Sequence, residues 1–414
     1  MSALPISRLD ALIAEQEGLE RVDRETIEAI QLKKLNRLLA REKARGGFYR
    51  DLPERILSLA HLSDLPFTTE EDLARHAPSL LLCSQAQVQR VLSDATSGTT
   101  GAAKRVFYTE DDLENTVRLY TAGLGELVFP GGVTLICFPF SGPFGLGELI
   151  AEAITRLGAK PLRAGPFLSF GEYAALLESE KPDSFVGMPV QLLGLLRFCG
   201  RGSLRRALVS GDACPASVTA GCEELLGSRL FPHYGSRETG MAGAICCHAH
   251  AGMHLRENHI IAEIVDEAGR PLPRGEIGEL VVTTIGMEAM PLIRYRSGDR
   301  ARILPGPCPC GSETLRLDRV ERKAAGLRAA ELDEILFADA HIVDCRYTLG
   351  AEGLAITALT AGTPAEDSIL PHVRALAPAL PVAFSGRPAR PDDRALYAGK
   401  RVVTQGGGSP SAPD

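Results

Sequence analysis

The chain has 414 residues, 45% of them hydrophobic, and 45 basic against 52 acidic side chains leave it at a net charge of −7. That length excludes one ordinary core and predicts two or more domains, and the acidic balance argues against nucleic acid or an anionic membrane surface as partner. No apolar run approaches the ~20 residues that cross a bilayer. Ten cysteines are scattered without the framework of a small secreted domain, which points to reduced thiols with room for a metal site. Met1-Ser-Ala-Leu-Pro leads into charge rather than an apolar signal core, so a cytoplasmic protein is expected.

Residues 8 to 46 read as helix, with Ile27, Ile30, Leu32, Leu35, Leu38 and Leu39 at near-helical spacing and Gly46-Gly47 as the stop. Thr68 or Thr69 caps a helix from Glu70, and Val88 to Leu92 reads as a strand. It leads into Asp94-Ala-Thr96-Ser97-Gly98-Thr99-Thr100-Gly101-Ala-Ala-Lys104. Glycines let the backbone approach an oxyanion, hydroxyls and amides donate to it, and the lysine adds charge, so this loop suits phosphate. It lacks the Walker pattern, which disfavours a P-loop hydrolase or kinase.

From 107 to 240 helices and strands alternate. Thr109 caps a helix, Val133 to Phe140 is a strand, and a turn at 140–147 opens a helix through Leu157. Lys160-Pro-Leu, Ser184-Phe-Val-Gly and Arg206-Ala-Leu-Val read as strands, with a helix over Gln191 to Phe198. This alternation predicts a mostly parallel sheet, whose ligands gather at the carboxyl ends of its strands. The loops at 138–147, 187–189, 210–212 and 233–240 then share one cleft. Ser210, Gly211, Asp212, His233 and Gly235 are counted with the cofactor-binding set as members of those loops. Phe138, Phe140, Phe144 and Met188 make the cleft apolar, compatible with an aromatic or medium acyl group.

In His233-Tyr234-Gly235-Ser236-Arg237-Glu238-Thr239-Gly240 an aromatic beside a glycine can stack on a flat base, and the glutamate can hold a divalent cation beside phosphates. Glu263 to Thr284 reads as a hairpin and strand. In Pro291-Leu-Ile-Arg-Tyr-Arg-Ser-Gly-Asp299 a carboxylate can accept both hydroxyls of a ribose. Cys308-Pro-Cys310 is a compact knuckle. With Cys247 and His254 it offers three thiolates and an imidazole for a tetrahedral structural zinc, while Cys246, His248 and His250 are rival ligands.

The order of these motifs resembles the acyl-adenylate-forming (AMP-dependent synthetase/ligase) superfamily. Phe48-Tyr49-Arg50 and Leu65-Pro-Phe-Thr-Thr-Glu-Glu-Asp-Leu73 ahead of Ser97-Gly-Thr-Thr-Gly101 are most similar to its phenylacetate–CoA ligase branch. The resemblance implies an α/β fold: a large N-terminal domain with αβ-layered sheets over 1–319, plus a small mobile α+β lid over 320–405. The large domain comprises a helical entry at 1–90, an αβ core at 91–245 and a β-rich part at 246–319, and residues 406–414 form a disordered tail by composition.

The resemblance also implies ATP/AMP, Mg²⁺ and coenzyme A as cofactors, and a small carboxylic acid as substrate. Thr96, Ser97, Gly98, Thr99, Thr100, Gly101 and Lys104 go to the phosphates, Tyr234 to adenine and Ser236 near the phosphate. Glu238 goes to Mg²⁺, Asp299 to the ribose, and Arg322 to the ribose with Arg319 beside it. Among metal ligands it favours Cys247, His254, Cys308 and Cys310, for zinc. Lys400, in Gly399-Lys400-Arg401-Val402, matches the adenylation lysine, whose charge neutralises the reacting α-phosphate and carboxylate. The hinge falls near Lys323 to Ala325 without its usual acidic pair, and the text passes almost directly into a helix at Ala330. This shortened link bears on the thiol-transfer step. Two alternatives stay open: a non-CoA acceptor, and a nucleotide-binding protein that has lost catalysis. A homodimer is one open assembly.

Overall fold

A computed structural model describes residues 7–94, 104–322, 326–397 and 399–406. It divides into two compact units, Met1–Glu126 with Pro232–Lys323, and Leu127–Phe231 with Ala324–Asp414.

The first unit opens on two helices rather than the one run expected over 8–46. Helix α1 (Arg8–Glu17) begins on Ser7, whose hydroxyl accepts the Asp10 N–H, and stops at Gly18, whose φ of 67° is left-handed. Helix α2 (Arg24–Arg45) is capped by Asp23 and ends at Gly46, as the paired glycines predict, with Lys43 and Arg45 complementing its C-terminal dipole. Helices Glu70–Leu80 and Glu110–Leu124 start on Thr69 and Thr109, each in a reciprocal capping box with the aspartate three residues on.

The strand expected at Val88–Leu92 forms two residues later, at Arg90–Asp94, because Val88 closes a short 3₁₀ turn; it pairs antiparallel with Lys104–Tyr108. Strands Ile260–Val265, Gly278–Thr284, Tyr295–Ala301 and Glu321–Arg322 form an antiparallel sheet in that order. Phe231–Tyr234, Ala244–Cys246, Met253–Leu255 and Arg316–Leu317 form a second antiparallel ladder.

In the second unit Arg206–Val209, Ser184–Gly187, Val133–Ile136 and Lys160–Arg163 run parallel in that order, the buried sheet that the αβ alternation predicts. The Val133 strand ends at Ile136, four residues early, where the chain turns toward the helix Leu146–Arg156. Helix Pro189–Cys199 starts on its proline, whose missing N–H is needed by no earlier carbonyl. It is buried along most of its length, and Gly194 lets it approach strand Ile342–Gly350: a Cβ there would sit 2.9 Å from the Val343 carbonyl oxygen.

Residues after 326 form helix Ala329–Leu336, helix Glu366–Leu376 and the mixed sheet Val382–Pro388, Gly353–Thr360, Ile342–Gly350, Val403–Gln405. Helix Glu366–Leu376 begins two residues before the expected Ser368, on acids suited to its N-terminus, so Pro371 falls in its second turn rather than its first. Leu193, Leu196, Phe185, Leu332, Phe337, Ile342 and Tyr347 belong to one apolar core. Residues 127–231 thus share their core with the C-terminal segment, which covers the apolar faces of their helices.

Candidate active site and metal centre

The motif residues of the first unit converge by alternation along two strands. Arg294, buried at a φ of 48°, pins the start of strand Tyr295–Ala301: its guanidinium forks onto Glu263 at 3.0 Å and donates to the carbonyls of Ser63 and Leu65. Tyr295, Ser297, Asp299 and Ala301 are then the buried positions of that strand. The Tyr295 hydroxyl donates to Glu238 Oε1 at 3.3 Å, and the Tyr234 hydroxyl donates to Asp299 Oδ2 at 2.8 Å. Arg322 lies 3.9 Å from Asp299 Oδ1, with Arg319 exposed just before it.

Glu238 sits on a one-turn 3₁₀ segment, Arg237–Thr239, capped by Ser236 and closed by a left-handed Gly240. Gly235 is required because a Cβ there would lie 2.5 Å from the Met241 carbonyl oxygen. Lys104, the first described residue after the glycine-rich loop, places Nζ 2.6 Å from Glu238 Oε1 and 3.4 Å from Glu70 Oε1. Burial pushes the Glu238 carboxyl up, but the Lys104 ammonium outweighs it and holds the group below the ordinary value. Burial likewise disfavours the charged Lys104, and Glu238 reverses this, so the ammonium is held above its usual range. Glu70 and Tyr295 were missed by motif reasoning. Glu70 stands in the segment Thr68-Thr69-Glu70-Glu71, but only the fold brings it to Lys104. Residues 95–103, hence Thr96, Ser97, Gly98, Thr99, Thr100 and Gly101, lie outside the described residues.

His233 is buried against the Tyr120 ring, centroids 4.9 Å apart, on the face of its strand opposite Tyr234. Burial pushes its pKa down to about 3, so the imidazole is neutral.

In the second unit the Ser210 N–H donates to Gly187 O, and Gly211, at a φ of 86°, lies between Phe138 and Met188. Phe140 rests on Gly147, and Phe144 is exposed. Asp212 is engaged on both oxygens, by the Ala213 N–H at 2.8 Å and the Arg401 N–H at 2.7 Å. The Arg401 side chain is itself buried, its guanidinium on Asp333 and Asp344 at 2.8 Å, while the neighbouring Lys400 is exposed. The anchoring role of Arg401 carries no sequence signal beyond its place in the lysine motif.

Cys247, His254, Cys308 and Cys310 are all buried, with their ligand atoms within 4.8 Å of one another. Cys247 and Cys308 sulfurs are 3.8 Å apart, and Cys310 Sγ is 3.5 Å from His254 Nε2. Tetrahedral zinc with its ordinary bond lengths spaces two sulfurs by about 3.8 Å and a sulfur and a nitrogen by about 3.6 Å. These two spacings match such an ion, and three thiols with one imidazole are the chemistry of a structural zinc site. The rivals lie outside this group: Cys246 Sγ is 3.8 Å from His250 Nδ1, and His248 Nδ1 is 3.7 Å from Glu126.

Residues 94–289 match the family model of the AMP-binding enzymes. The chain is 31% identical over 322 residues to the phenylacetate–coenzyme A ligase of Thermus thermophilus, covering 73% of this chain and 71% of that one. It is 28% identical to the enzyme of the same name from Aromatoleum evansii, covering 70% and 69%. Among solved structures, 2-hydroxyisobutyryl-CoA ligase with an acyl-AMP superposes with a TM-score of 0.74 over 92% of this chain and 90% of that one, at 17% identity, a likeness of fold. The chain belongs to the phenylacetate–CoA ligase branch of the acyl-adenylate-forming superfamily.

Proposed function

We propose that the chain is an AMP-forming acid–CoA ligase. A substrate carboxylate oxygen attacks the α-phosphorus of ATP, the bond to the β-phosphate breaks, and pyrophosphate leaves. The CoA thiol then attacks the acyl carbonyl and AMP departs. The carboxylate is already ionised at neutral pH, so adenylation needs positioning and charge rather than a general base.

The observation that carries this reading is the Lys104–Glu238 pair beside Tyr234–Asp299, buried carboxylates and a cation at the end of a hydroxyl-rich loop. Lys104 goes to the departing phosphates and Asp299 to the ribose hydroxyls, with Tyr234 orienting that carboxylate and presenting its ring to adenine. Glu238 would hold Mg²⁺, which when bound neutralises phosphate charge. Nucleotide binding would then exchange the ammonium–carboxylate contact for an ammonium–phosphate contact and a carboxylate–Mg²⁺ contact, so neither buried charge is stranded. Lys400, exposed and next to the anchored Arg401, supplies charge to the α-phosphate. Withdrawal of Lys400 before thiol attack would require the C-terminal segment to part from the core it shares with residues 127–231. Cys247, His254, Cys308 and Cys310 hold zinc as a structural ion, all four positions being protein-filled. A cytoplasmic setting accords with the free thiols of the chain. Among the described residues no helix is long and apolar enough to cross a membrane.

A second reading keeps adenylation but changes the acceptor. It is favoured by the short link between strand Glu321–Arg322 and helix Ala329–Leu336, where the family resemblance leads one to expect a longer thiol-lining loop.

The test is carboxylate-dependent ATP–pyrophosphate exchange over aryl, arylacetic and short aliphatic acids, with Lys400→Ala in parallel and products analysed with and without CoA. Exchange with one acid class, lost about 10²-fold or more in the variant, with thioester formed, is the expected result. Adenylate without thioester selects the second reading. ATP binding with no exchange for any acid overturns both.

A further inference from the structure

We propose that Asp10 is a positioning residue for the cysteine–histidine centre, acting through Ser312 and Thr314, and that loading this centre docks helix α1. The proposal rests on the zinc reading above and extends it to residues far from the donor set.

His254 turns Nε2 toward Cys310, which leaves Nδ1 to be oriented by something else. Nδ1 lies 2.7 Å from Thr314 Oγ1, Thr314 Oγ1 lies 2.7 Å from Ser312 Oγ, and the Ser312 hydroxyl donates to Asp10 Oδ1 at 2.8 Å. All four residues are buried, none more than 4% exposed. A histidine that binds a metal through Nε2 carries its proton on Nδ1, and the partner of that proton fixes the tautomer and the ring angle. The Nδ1–H therefore donates to Thr314, Thr314 to Ser312, and Ser312 to Asp10. Each hydroxyl both accepts and donates, so the chain needs a terminal acceptor, and the carboxylate supplies it. The Thr314 N–H donates to Ser312 Oγ at 3.2 Å, which pins the middle of the relay.

The relay also joins distant parts of the chain. Asp10 stands in the first turn of α1, with its N–H on the Ser7 hydroxyl, and is 302 residues from Ser312. The other end of α1 meets the same strand-and-loop seat. Gln16 Oε1 accepts from Arg256 Nη2 and Asn258 Nδ2, both at 3.0 Å, and Glu17 Oε1 accepts from Asn258 Nδ2 at 2.8 Å. An ion bound by His254 and by Cys308 and Cys310 ties residues 254–258 to the 308–314 loop. That fixes the spacing of the two surfaces which α1 bridges. The arrangement couples metal binding to the order of an N-terminal helix.

The experiment uses the full-length chain. Zinc affinity is measured by competition with a chromophoric chelator for wild type, Thr314→Val, Thr314→Ser and Asp10→Ala. Amide hydrogen exchange over 8–17 is followed before and after zinc removal. We expect Thr314→Val and Asp10→Ala, which removes the terminal acceptor, to bind zinc about tenfold more weakly, and Thr314→Ser, which keeps the hydroxyl, to stay near wild type. Zinc removal should raise exchange in α1 well above that in helix Pro189–Cys199. Wild-type affinity in both Thr314→Val and Asp10→Ala, or unchanged α1 protection on zinc removal, overturns the relay while leaving the zinc reading intact. Failure of the wild-type chain to bind zinc overturns both.

Discussion

Lys104 Nζ lies 2.6 Å from Glu238 Oε1, and both side chains are less than a tenth exposed. Removing Glu238 leaves the Lys104 ammonium buried with only its longer contact to Glu70 at 3.4 Å, so Glu238→Ala is expected to lower unfolding free energy by about 3 kcal/mol. Glu238→Gln keeps an acceptor oxygen for the ammonium and should fold more stably than the alanine variant. It loses the negative charge proposed to hold Mg²⁺, so the Mg²⁺ concentration for half-maximal pyrophosphate exchange should rise about tenfold or more. An unchanged Mg²⁺ dependence in the folded glutamine variant would remove Glu238 from the metal role.

The Tyr234–Asp299 hydrogen bond gives a separate prediction. Hydrogen bonds to charged groups contribute about 1.5–3 kcal/mol, so Tyr234→Phe, which keeps the ring and drops the hydroxyl, should weaken ATP binding by about tenfold through the less constrained carboxylate. The effect should fall on KM for ATP, with kcat within about twofold, because base stacking survives and the hydroxyl touches no reacting atom. A fall in kcat with KM unchanged would place Tyr234 nearer the chemistry than its hydrogen bond implies.

Glu42, near the C-terminal end of α2, is 1% exposed, and its Oε1 has no hydrogen-bond partner. Burial pushes its pKa up from 4.5 to about 7, against the opposing pull of Arg45 and the Tyr49 N–H. The folded chain therefore holds this proton more tightly than the unfolded one. The associated stability is fully present below about pH 4.5 and lost as pH rises through about 7, an effect of about 3 kcal/mol. Glu42→Gln should gain on wild type in urea melts at pH 8 and show no such gain at pH 4.5. Parallel pH profiles for the two proteins would show that the carboxyl does not titrate in this window.

The sequence alone reveals features that act within a few residues. Thr69, Thr109 and Gly46 announce helix ends because a cap needs one side chain or one left-handed φ at a set offset. Motif residues such as Tyr234, Glu238 and Asp299 are legible because short turns and strands fix them locally. Contacts across the chain leave no such trace. Nothing in periodicity joins Asp10 to Ser312, or makes Glu70 a neighbour of Lys104. His233 shows the converse: it stands inside a legible motif, yet strand alternation turns it into the core beside Tyr120. The grouping of 127–231 with the C-terminal segment was equally hidden. Apolar helix faces such as that of Pro189–Cys199 announce burial without naming the partner that covers them.

Arg401 shows how such a hidden contact can serve the motif beside it. Its guanidinium donates from Nε and Nη2 to Asp333 and from Nη1 to Asp344 and packs on the rings of Tyr397 and Phe337, while its main-chain N–H holds Asp212. One forked cation thus offsets two buried carboxylates. A lysine in its place presents a single ammonium that cannot reach both in line, so Arg401→Lys should lose about 2–4 kcal/mol despite keeping the charge. Asp333→Asn together with Arg401→Lys should recover part of that loss, because one carboxylate fewer is left buried. Lys400 is exposed, and its backbone is placed by the anchored residue that follows it. Pyrophosphate exchange in Arg401→Lys should therefore fall even at temperatures where urea melts show the variant folded. Full exchange activity in the folded variant would mean that Lys400 finds its position without the anchor.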